Sequence, residues 1–451
     1  MSAGAAAIPR DRWLRIIPPM ILVYVVAYMD RMNIGFAMAG GMGESLGVTA
    51  TGSGLAAGMF FGGYLVLQIY GGRVAEYGSA KRFIFWTILG WGGISVLTGL
   101  VHNGWQLVAM RFLLGVAEGG VWPAILVSIS NWFPEEECAR ANAFFMSSLA
   151  LAGGASPFAG WVVGTFGWRW VFVIEGLISL LLVFVWLPIF ADRPEDAKWI
   201  SREEREYLVK RLEPERERLR RQKQLPVRYR ELLSDRELVR LTLIYFCNQA
   251  GQYGFLLWLP SILKNVTKTG MTGVGWLAAF PYIAALPGLY VFSYLADRSM
   301  NRRFYTAITE CGFAFFCLLS ALLTGHVWLF YLFIVLTGMF SKAPAAIFWA
   351  LPRTLFPPGV AGTARGIINA VGCLGGLAGP FLVGWMSTLF GFQAGMLCLV
   401  LFLFAGGIVA LTLPDVTARG AAATSPNPAV APISNPSGES RDETPTARHP
   451  R

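Results

Sequence analysis

Apolar residues fall in runs of membrane-crossing length along almost the whole chain, separated by short polar joints. Windows of about 20 residues, the length an α-helix needs to cross hydrocarbon, mark segments at 16–38, 51–72, 83–101, 105–128, 141–164 and 170–191. A charge-dense interval follows from Asp192 to about Glu237, and six more segments lie at 238–263, 272–296, 304–324, 327–352, 361–388 and 390–413. The pattern predicts an all-α membrane protein with twelve transmembrane helices. It divides the chain into an N-terminus (1–15), a six-helix bundle (16–191), a linker (192–237), a second six-helix bundle (238–413) and a tail (414–451). The tail is rich in Pro, Ser, Ala, Asn and charge, cannot bury a core, and reads as disordered.

Composition excludes the soluble alternative. Of 451 residues, 55% are hydrophobic and 14% charged, where a soluble globule carries about a quarter charged residues. The first segment follows Arg10, Arg12 and Arg15, as a signal peptide would, but its apolar run exceeds the roughly 7–15 residues of a signal core and contains charges, so it is read as a retained helix. With both termini cytoplasmic, 31 of the 37 basic residues fall inside and only Arg169, Lys264 and Lys268 outside, leaving Arg31, Arg111 and Lys342 within the bilayer. That asymmetry predicts a multi-pass protein of the cell inner (plasma) membrane. It also assigns the net charge of +10 to contact with anionic inner-leaflet lipid, not nucleic acid. Six scattered cysteines give no disulfide or metal spacing, and no cofactor is implied.

The halves repeat each other. GRVAEYGSAKRF (72–83) and SYLADRSMNRRF (293–304) each place an acid five and six residues before basic residues: Glu76 before Lys81 and Arg82, Asp297 before Arg302 and Arg303. Phe133-Pro134 recurs at 356–357 and Pro157-Phe158 at 380–381, so the register stays within 221 to 224 residues. Two parallel six-helix repeats are the plan of one large class of secondary transporter, with substrate bound between the halves at mid-membrane.

The acidic-then-basic loops resemble the signature loop of the major facilitator superfamily. DRMNIGFAM (30–38), RFLLGVAEGGVWPAI (111–125), GWRWVFVIEG (167–176), DRPEDAKWISREEREYL (192–208) and FWALP (348–352) together resemble its anion:cation symporter family. That family includes bacterial proton symporters for tartrate, phthalate, hydroxyphenylacetate and sugar acids. The resemblance spans residues 20 to 410 and implies transport of an organic anion with protons; the protein is expected to work as a monomer. Cys373 and Lys342 depart from the usual family pattern.

Charges inside lipid cost about 2.5–3.5 kcal/mol each on insertion scales and mark function by default. At 1.5 Å per residue, Arg31 and Arg111 fall at similar depth, somewhat outward of the midplane. Glu118 lies two turns beyond Arg111 on one stripe with Gly115 and Trp122, and Tyr24, Tyr28, Arg31 and Gly35 share a face of the first helix. Asp30 points about 100° away from that face. Two cations at one depth repel unless something lies between them, and the guanidinium fork suits a carboxylate. Two readings stand: Arg31 and Arg111 hold a substrate anion, which the resemblance also implies for the matching arginines, or Arg31 pairs with Asp30 or Glu118. Lys342 adds a cation from the other half, as a ligand contact or as the partner of a carboxylate.

For the carboxylates, burial disfavours the ionised form while a neighbouring guanidinium favours it. Glu118, with Asp30 assisting, is the expected carrier of the coupled proton, and a fixed salt bridge is the alternative. Tyr64 with Gln68, Asn248 with Gln252, and Asn369 are candidates to complete the pocket or to bond between helices. Glu175 is expected at the outer interface near Arg169. Gly72, Glu76, Lys81 and Arg82 in one signature loop and Asp297, Arg298 and Arg302 in the other are expected gating residues. Ser201 and Glu204 form a capping box opening a linker helix expected to lie along the inner leaflet.

Rival classes lack parts. His102, His326 and His449 meet no nucleophile and no HExxH pattern, and no GxxxxGKS loop supplies ATP energy. Sodium coupling, anion exchange and a non-transporting anion receptor stay open. Each negative charge entering against about 100 mV opposes about 2.3 kcal/mol, so a dianion needs at least two protons to cancel the electrical cost.

Overall fold

The computed structural model describes residues 11–222, 232–356 and 358–414, and within them all regular structure is helical. Twelve rods run across the molecule. They are α1 Asp11–Ala39, α2 Ala50–Tyr77, α3 Ala80–Thr98, α4 Gly104–Glu118 continuing as Val121–Trp132, α5 Glu135–Gly153 continuing as Ser156–Phe166, and α6 Trp168–Leu181 continuing as Val183–Ile189. The second half repeats the series: α7 Arg236–Thr267, α8 Met271–Ser299, α9 Arg302–Leu322, α10 Val327–Ser341 continuing as Ala343–Phe348, α11 Pro358–Gly372 continuing as Leu374–Phe390, and α12 Phe392–Leu411. Most helices outrun the apolar windows, because backbone hydrogen bonding continues into the charged joints once the chain has left hydrocarbon.

Ten of these rods, among the described residues, are individually long and apolar enough to cross a bilayer; α3 and α7 are not among them. Lys81 and Arg82 sit in the first turn of α3, and Asn248, Gln249, Gln252 and Lys264 dilute α7. Both are nonetheless packed into their bundles, α3 against α4 and α6, α7 against α11 and α12. A helix whose polar groups face protein does not have to be apolar all round.

One end of the molecule carries the start of α1 and the linker helix Arg202–Gln222; the opposite is here the far end. From mid-depth to the far end the halves are pressed together. A Cβ on Gly58 of α2 would come within 2.5 Å of the Leu377 carbonyl oxygen of α11, one on Gly54 would strike Pro380, and one on Gly35 of α1 would come within 2.5 Å of the Leu257 oxygen of α7. Thr51 Oγ1 and Thr388 Oγ1 are 2.9 Å apart, and Lys264 Nζ donates to the Ala39 carbonyl at 2.7 Å. On α11 the far-end glycines Gly376 and Gly384 press on Phe61 and Ala50 of the other half, whereas Gly362 and Gly366, nearer the linker end, face open space. The cleft between the halves therefore opens toward the linker end. A side chain in the far-end seam costs about 1–3 kcal/mol of overpacking. Gly58→Leu is thus expected to shift the protein toward a state open at the far end, raising the alkylation rate of a cysteine placed at the buried Ser53 about tenfold.

The linker helix turns its apolar side to protein. The Ser201 half of its capping box forms, Ser201 Oγ accepting from Glu204 N at 3.2 Å, while the Glu204 carboxylate turns to Asp11 N and Arg12, and Ile200, Leu208 and Leu212 are buried in the protein core. Arg12, 2% exposed, donates to Glu204 at 2.5 Å and to Glu137 at 2.9 Å, tying α1, the linker helix and α5 together. Trp132 and Trp199 stack with centroids 5.2 Å apart. The expected inner-leaflet tether is thus docked on the N-terminal half, because an acid and an apolar stripe on one helix find a buried arginine and core there. Glu204→Ala takes from Arg12 one of its two carboxylate partners, and the loss of a buried partner predicts about 3 kcal/mol less stability, measurable as an earlier melt in detergent.

Candidate functional site

Arg31 lies at the middle of the cleft. Tyr24, Tyr28, Arg31 and Gly35 share the face of α1 that meets the opposite half, and the missing Cβ of Gly35 lets α7 approach. The Arg31 guanidinium is 4% exposed and is walled by aromatic faces, its Cζ lying 4.9 Å from the Phe60 centroid, 5.0 Å from Tyr64 and 5.7 Å from Tyr28. Such faces attract a cation without neutralising it. Its carboxylate partner is Glu118, Nη2 to Oε2 at 3.1 Å, and Nη1 makes a long 3.5 Å contact with Tyr253 Oη of the other half. The close approach of α4 to α2 that allows this depends on Gly115 and Gly119, where a Cβ would run into the Phe60 and Tyr64 carbonyls.

Arg111 comes from α4, fully buried, with its Cζ 5.3 Å from the same Phe60 centroid. Its Nη2 donates to the carbonyl of Arg31 at 3.2 Å, while Nε and Nη1 have no hydrogen-bond partner. Arg111 thus stands behind Arg31 and not beside it. Of the two carboxylates weighed as partners of Arg31, Glu118 pairs with it and Asp30 does not. Adjacent residues diverge by about 100° on a helix, and Asp30 turns into the bundle. Its Oδ1 accepts from Asn33 Nδ2 at 2.8 Å and Ser95 Oγ at 2.5 Å.

Lys342 enters from α10 at the break between Val327–Ser341 and Ala343–Phe348. Its Nζ donates to Tyr28 Oη at 3.1 Å across the cleft and lies 5.5 Å from that ring's centroid. Tyr64 is buried beside Arg31; Gln68 lies one turn along α2, its Oε1 buried without a partner. Gln252 is 5% exposed on α7, and Asn369 on α11 accepts a 3.7 Å contact from Cys373 Sγ. Asn248 does not join this group: it turns toward the buried Glu310 carboxyl inside the second bundle.

Of the gating candidates, Asp297 pairs with Arg302 at 3.2 Å within its own half, and Arg298 is exposed. The N-terminus of α3 is capped by Asp192, which accepts from Lys81 N at 2.7 Å and Ser79 Oγ at 2.5 Å; Arg82 N donates to Ser79 Oγ at 3.1 Å. Gly72 passes Pro123 of α4, whose Cβ would lie 3.5 Å from an added Cβ, and the Glu76 side chain is outside the described residues.

The sequence reading missed one participant and misplaced a carboxylate. Tyr253 looks like any core tyrosine, yet it stands 222 residues after Arg31, at the offset of the internal repeat, and meets it across the cleft. Glu175 is not at the far-end surface: it is 1% exposed and turned toward Asn33 and Asp30, while Arg169 bonds instead to Ser45 Oγ and the Val101 carbonyl.

Comparison with known proteins agrees with this architecture. A family model described as Major Facilitator Superfamily matches residues 20–272 and 241–441, once for each half. A putative tartrate transporter of Agrobacterium vitis is 35% identical over 89% of this chain and 93% of its own length. A D-galactonate transporter of Escherichia coli is 26% identical over 87% and 93%. Among solved structures, a bacterial homologue of the human lysosomal transporter Spinster, inward-facing and unoccupied, superposes with a TM-score of 0.73 at 17% identity over 89% of this chain and 97% of that one, a likeness of fold. A repeated twelve-helix plan, a cation-lined cleft between its halves and a family match over both halves lead to one conclusion: the chain belongs to the major facilitator superfamily of multi-pass membrane transporters and is not an enzyme.

Proposed function

We propose that the chain imports an organic carboxylate together with protons by alternating access, the linker end facing the cytoplasm of a cell whose inner membrane it spans. The observation that carries this reading is the surplus of cations. Arg31, Arg111 and Lys342 lie around one cleft, and Glu118 is the only carboxylate paired to any of them among the described residues. An anion entering from the linker end meets Arg31 in the aromatic cage, with Tyr28, Tyr64, Gln68, Gln252, Asn369 and Tyr253 as neutral donors around it. The relatives named for tartrate and galactonate support a carboxylate as the cargo. The basic bias of the linker side supports the orientation.

Glu118 couples the proton to the anion by competition for one guanidinium. Ionised, it occupies Arg31; protonated, it releases Arg31 to the substrate carboxylate, so the cation is never left uncompensated. Asp30 lies in the electrostatic field of Arg111 as well as of Arg31 and Glu118, and its proposed part is to hold Arg111 behind Arg31. Rocking about the glycine seams then carries the site from one face to the other.

The test is uptake of radiolabelled carboxylates into proteoliposomes under an imposed pH gradient, an imposed sodium gradient, or neither. Accumulation driven by the pH gradient alone is the expected result. Accumulation that follows sodium replaces the proton with that ion, exchange without accumulation makes the protein an antiporter, and binding without uptake makes it a receptor.

A further inference from the structure

About 130° around α1 from the stripe that faces the cleft, a groove of about 900 Å³ opens between α1, α5 and α6. Asp11, Arg15, Pro18, Leu22 and Val25 line it at alternating spacings of four and three, so they form one stripe along the helix. Leu151 of α5 and Val185 and Ile189 of α6 supply the facing wall. Pro18 and Leu22 are exposed at membrane depth, so the open side of the groove is turned to lipid. The stripe is also ordered by depth. Its acid lies outermost at the linker end, its base one turn further in, and all beyond is apolar. From Arg15 to Val25 the helix rises about 15 Å, the hydrocarbon thickness of about one leaflet. Among the described residues neither charged side chain enters an ion pair. Arg15 lies with its Cζ 5.6 Å from the Trp199 centroid, and Asp11 is fixed by its backbone N–H, which donates to Glu204 at 3.2 Å. An exposed carboxylate is repelled by an anionic leaflet, and is favoured where the headgroup beside it ends in a cation.

We infer that this groove binds one phospholipid whose headgroup ends in an ammonium with N–H donors, the chemistry of phosphatidylethanolamine. The groups of such a lipid follow the order of the stripe: the ammonium outermost on Asp11, the phosphate on Arg15, and an acyl chain along Pro18, Leu22 and Val25. Both polar contacts are charge-assisted hydrogen bonds, and the guanidinium fork suits a phosphate. Phosphatidylglycerol brings Asp11 no cation. Phosphatidylcholine brings one wrapped in methyl groups, with no N–H to donate. All three helices of the groove belong to the first half, so the seam along which the halves rock does not cut the site and the lipid travels with its bundle. There it braces from behind the helix that presents Arg31 to the cleft. The inference does not depend on the cargo or on the coupling ion.

The test is native mass spectrometry of the full-length protein released from detergent micelles that hold equal amounts of phosphatidylethanolamine, phosphatidylcholine and phosphatidylglycerol with the same acyl chains. Phosphatidylethanolamine is expected to be retained about tenfold over either competitor. Asp11→Asn is expected to bring it down to the level of phosphatidylcholine. Arg15→Gln is expected to lower retention of all three by a similar factor, because the phosphate is common to them, and Leu22→Trp, which fills the groove, to lower all three without changing their order. Asp11, Arg15 and Leu22 are exposed, so these variants are expected to melt with the wild type, and the comparison among lipids is in any case made on wild-type protein. Equal retention of the three lipids, or a phosphatidylethanolamine preference unchanged in Asp11→Asn, makes the groove ordinary lipid contact and overturns the inference. Phosphatidylglycerol or phosphatidylcholine retained above phosphatidylethanolamine overturns it as well, since Asp11 then reads no ammonium N–H.

Discussion

Arg31→Gln is expected to lower carboxylate affinity by about two to three orders of magnitude and to reduce accumulation in proteoliposomes to background. The residue gives up the charge-assisted fork on which the substrate carboxylate would sit, and truncating one side of a buried charged hydrogen-bonded pair costs about 2–5 kcal/mol, with each 1.4 kcal/mol a factor of ten. The loss has a second component that must be separated out. Glu118 keeps its position 1% exposed, and without Arg31 it is a buried acid with no partner, a condition that destabilises by about 3–5 kcal/mol if the acid stays charged. The double variant Arg31→Gln with Glu118→Gln removes both charges and is expected to regain the wild-type melting temperature while still binding no carboxylate. Arg31→Lys keeps the charge and loses the bidentate geometry, so binding intermediate between wild type and glutamine is expected. Undiminished accumulation by a well-folded Arg31→Gln protein would remove the substrate site from this cleft.

What could be read in advance divides along a physical line. The twelve segments were legible because lipid forces backbone polar groups to be satisfied within each helix, and that constraint writes itself as long apolar runs. Even α7, diluted by Asn248, Gln249, Gln252 and Lys264, was found, since its remaining residues are apolar enough for a window reading. Depth was legible for the two arginines: counting 1.5 Å per residue put Arg31 and Arg111 at one level, where Arg111 donates to the Arg31 carbonyl, whereas the same count put Glu118 two turns deeper and gave no sign that it would pair with Arg31. Rotation was legible only within a helix. That Asp30 turns away from Arg31 follows from 100° per residue. That Glu175 turns inward while Arg169 bonds Ser45 depends on how α6 sits against α1 and α3, which no spacing within α6 specifies. Long-range partners had one trace, the repeat. Tyr253 faces Arg31 at an offset of 222 because pseudo-symmetry places equivalent turns of α1 and α7 on opposite walls of the cleft. The docked linker helix left no trace of its partner, because the buried acid Glu204 reads in sequence as an ordinary capping-box residue and its arginine is 192 positions away.

Glu118→Gln is the variant that separates coupling from binding. Glutamine has nearly the shape of the protonated acid and can still hydrogen-bond, but it cannot compete for Arg31 as an anion or exchange a proton. If Glu118 works by competition, the variant is locked in the substrate-receptive form. Carboxylate affinity is then expected to be at least that of the wild type and no longer to fall as pH rises, because no carboxylate is left to reclaim the guanidinium. Exchange of labelled for unlabelled substrate across the membrane is expected to persist, since neither direction of exchange needs the proton to leave. Concentrative uptake is expected to vanish. For each coupled proton, a gradient of one pH unit supplies about 1.4 kcal/mol, a tenfold accumulation, and the variant should show none of that factor while reaching equilibrium distribution. The pairing observed at 3.1 Å between Arg31 and Glu118 admits one other meaning, a static bridge that only fastens α1 to α4. A static bridge predicts the opposite pattern: a lower melting temperature, with accumulation driven by the pH gradient and its pH dependence retained in whatever protein folds. Exchange rates, accumulation ratios and melting temperatures measured on one preparation distinguish the two.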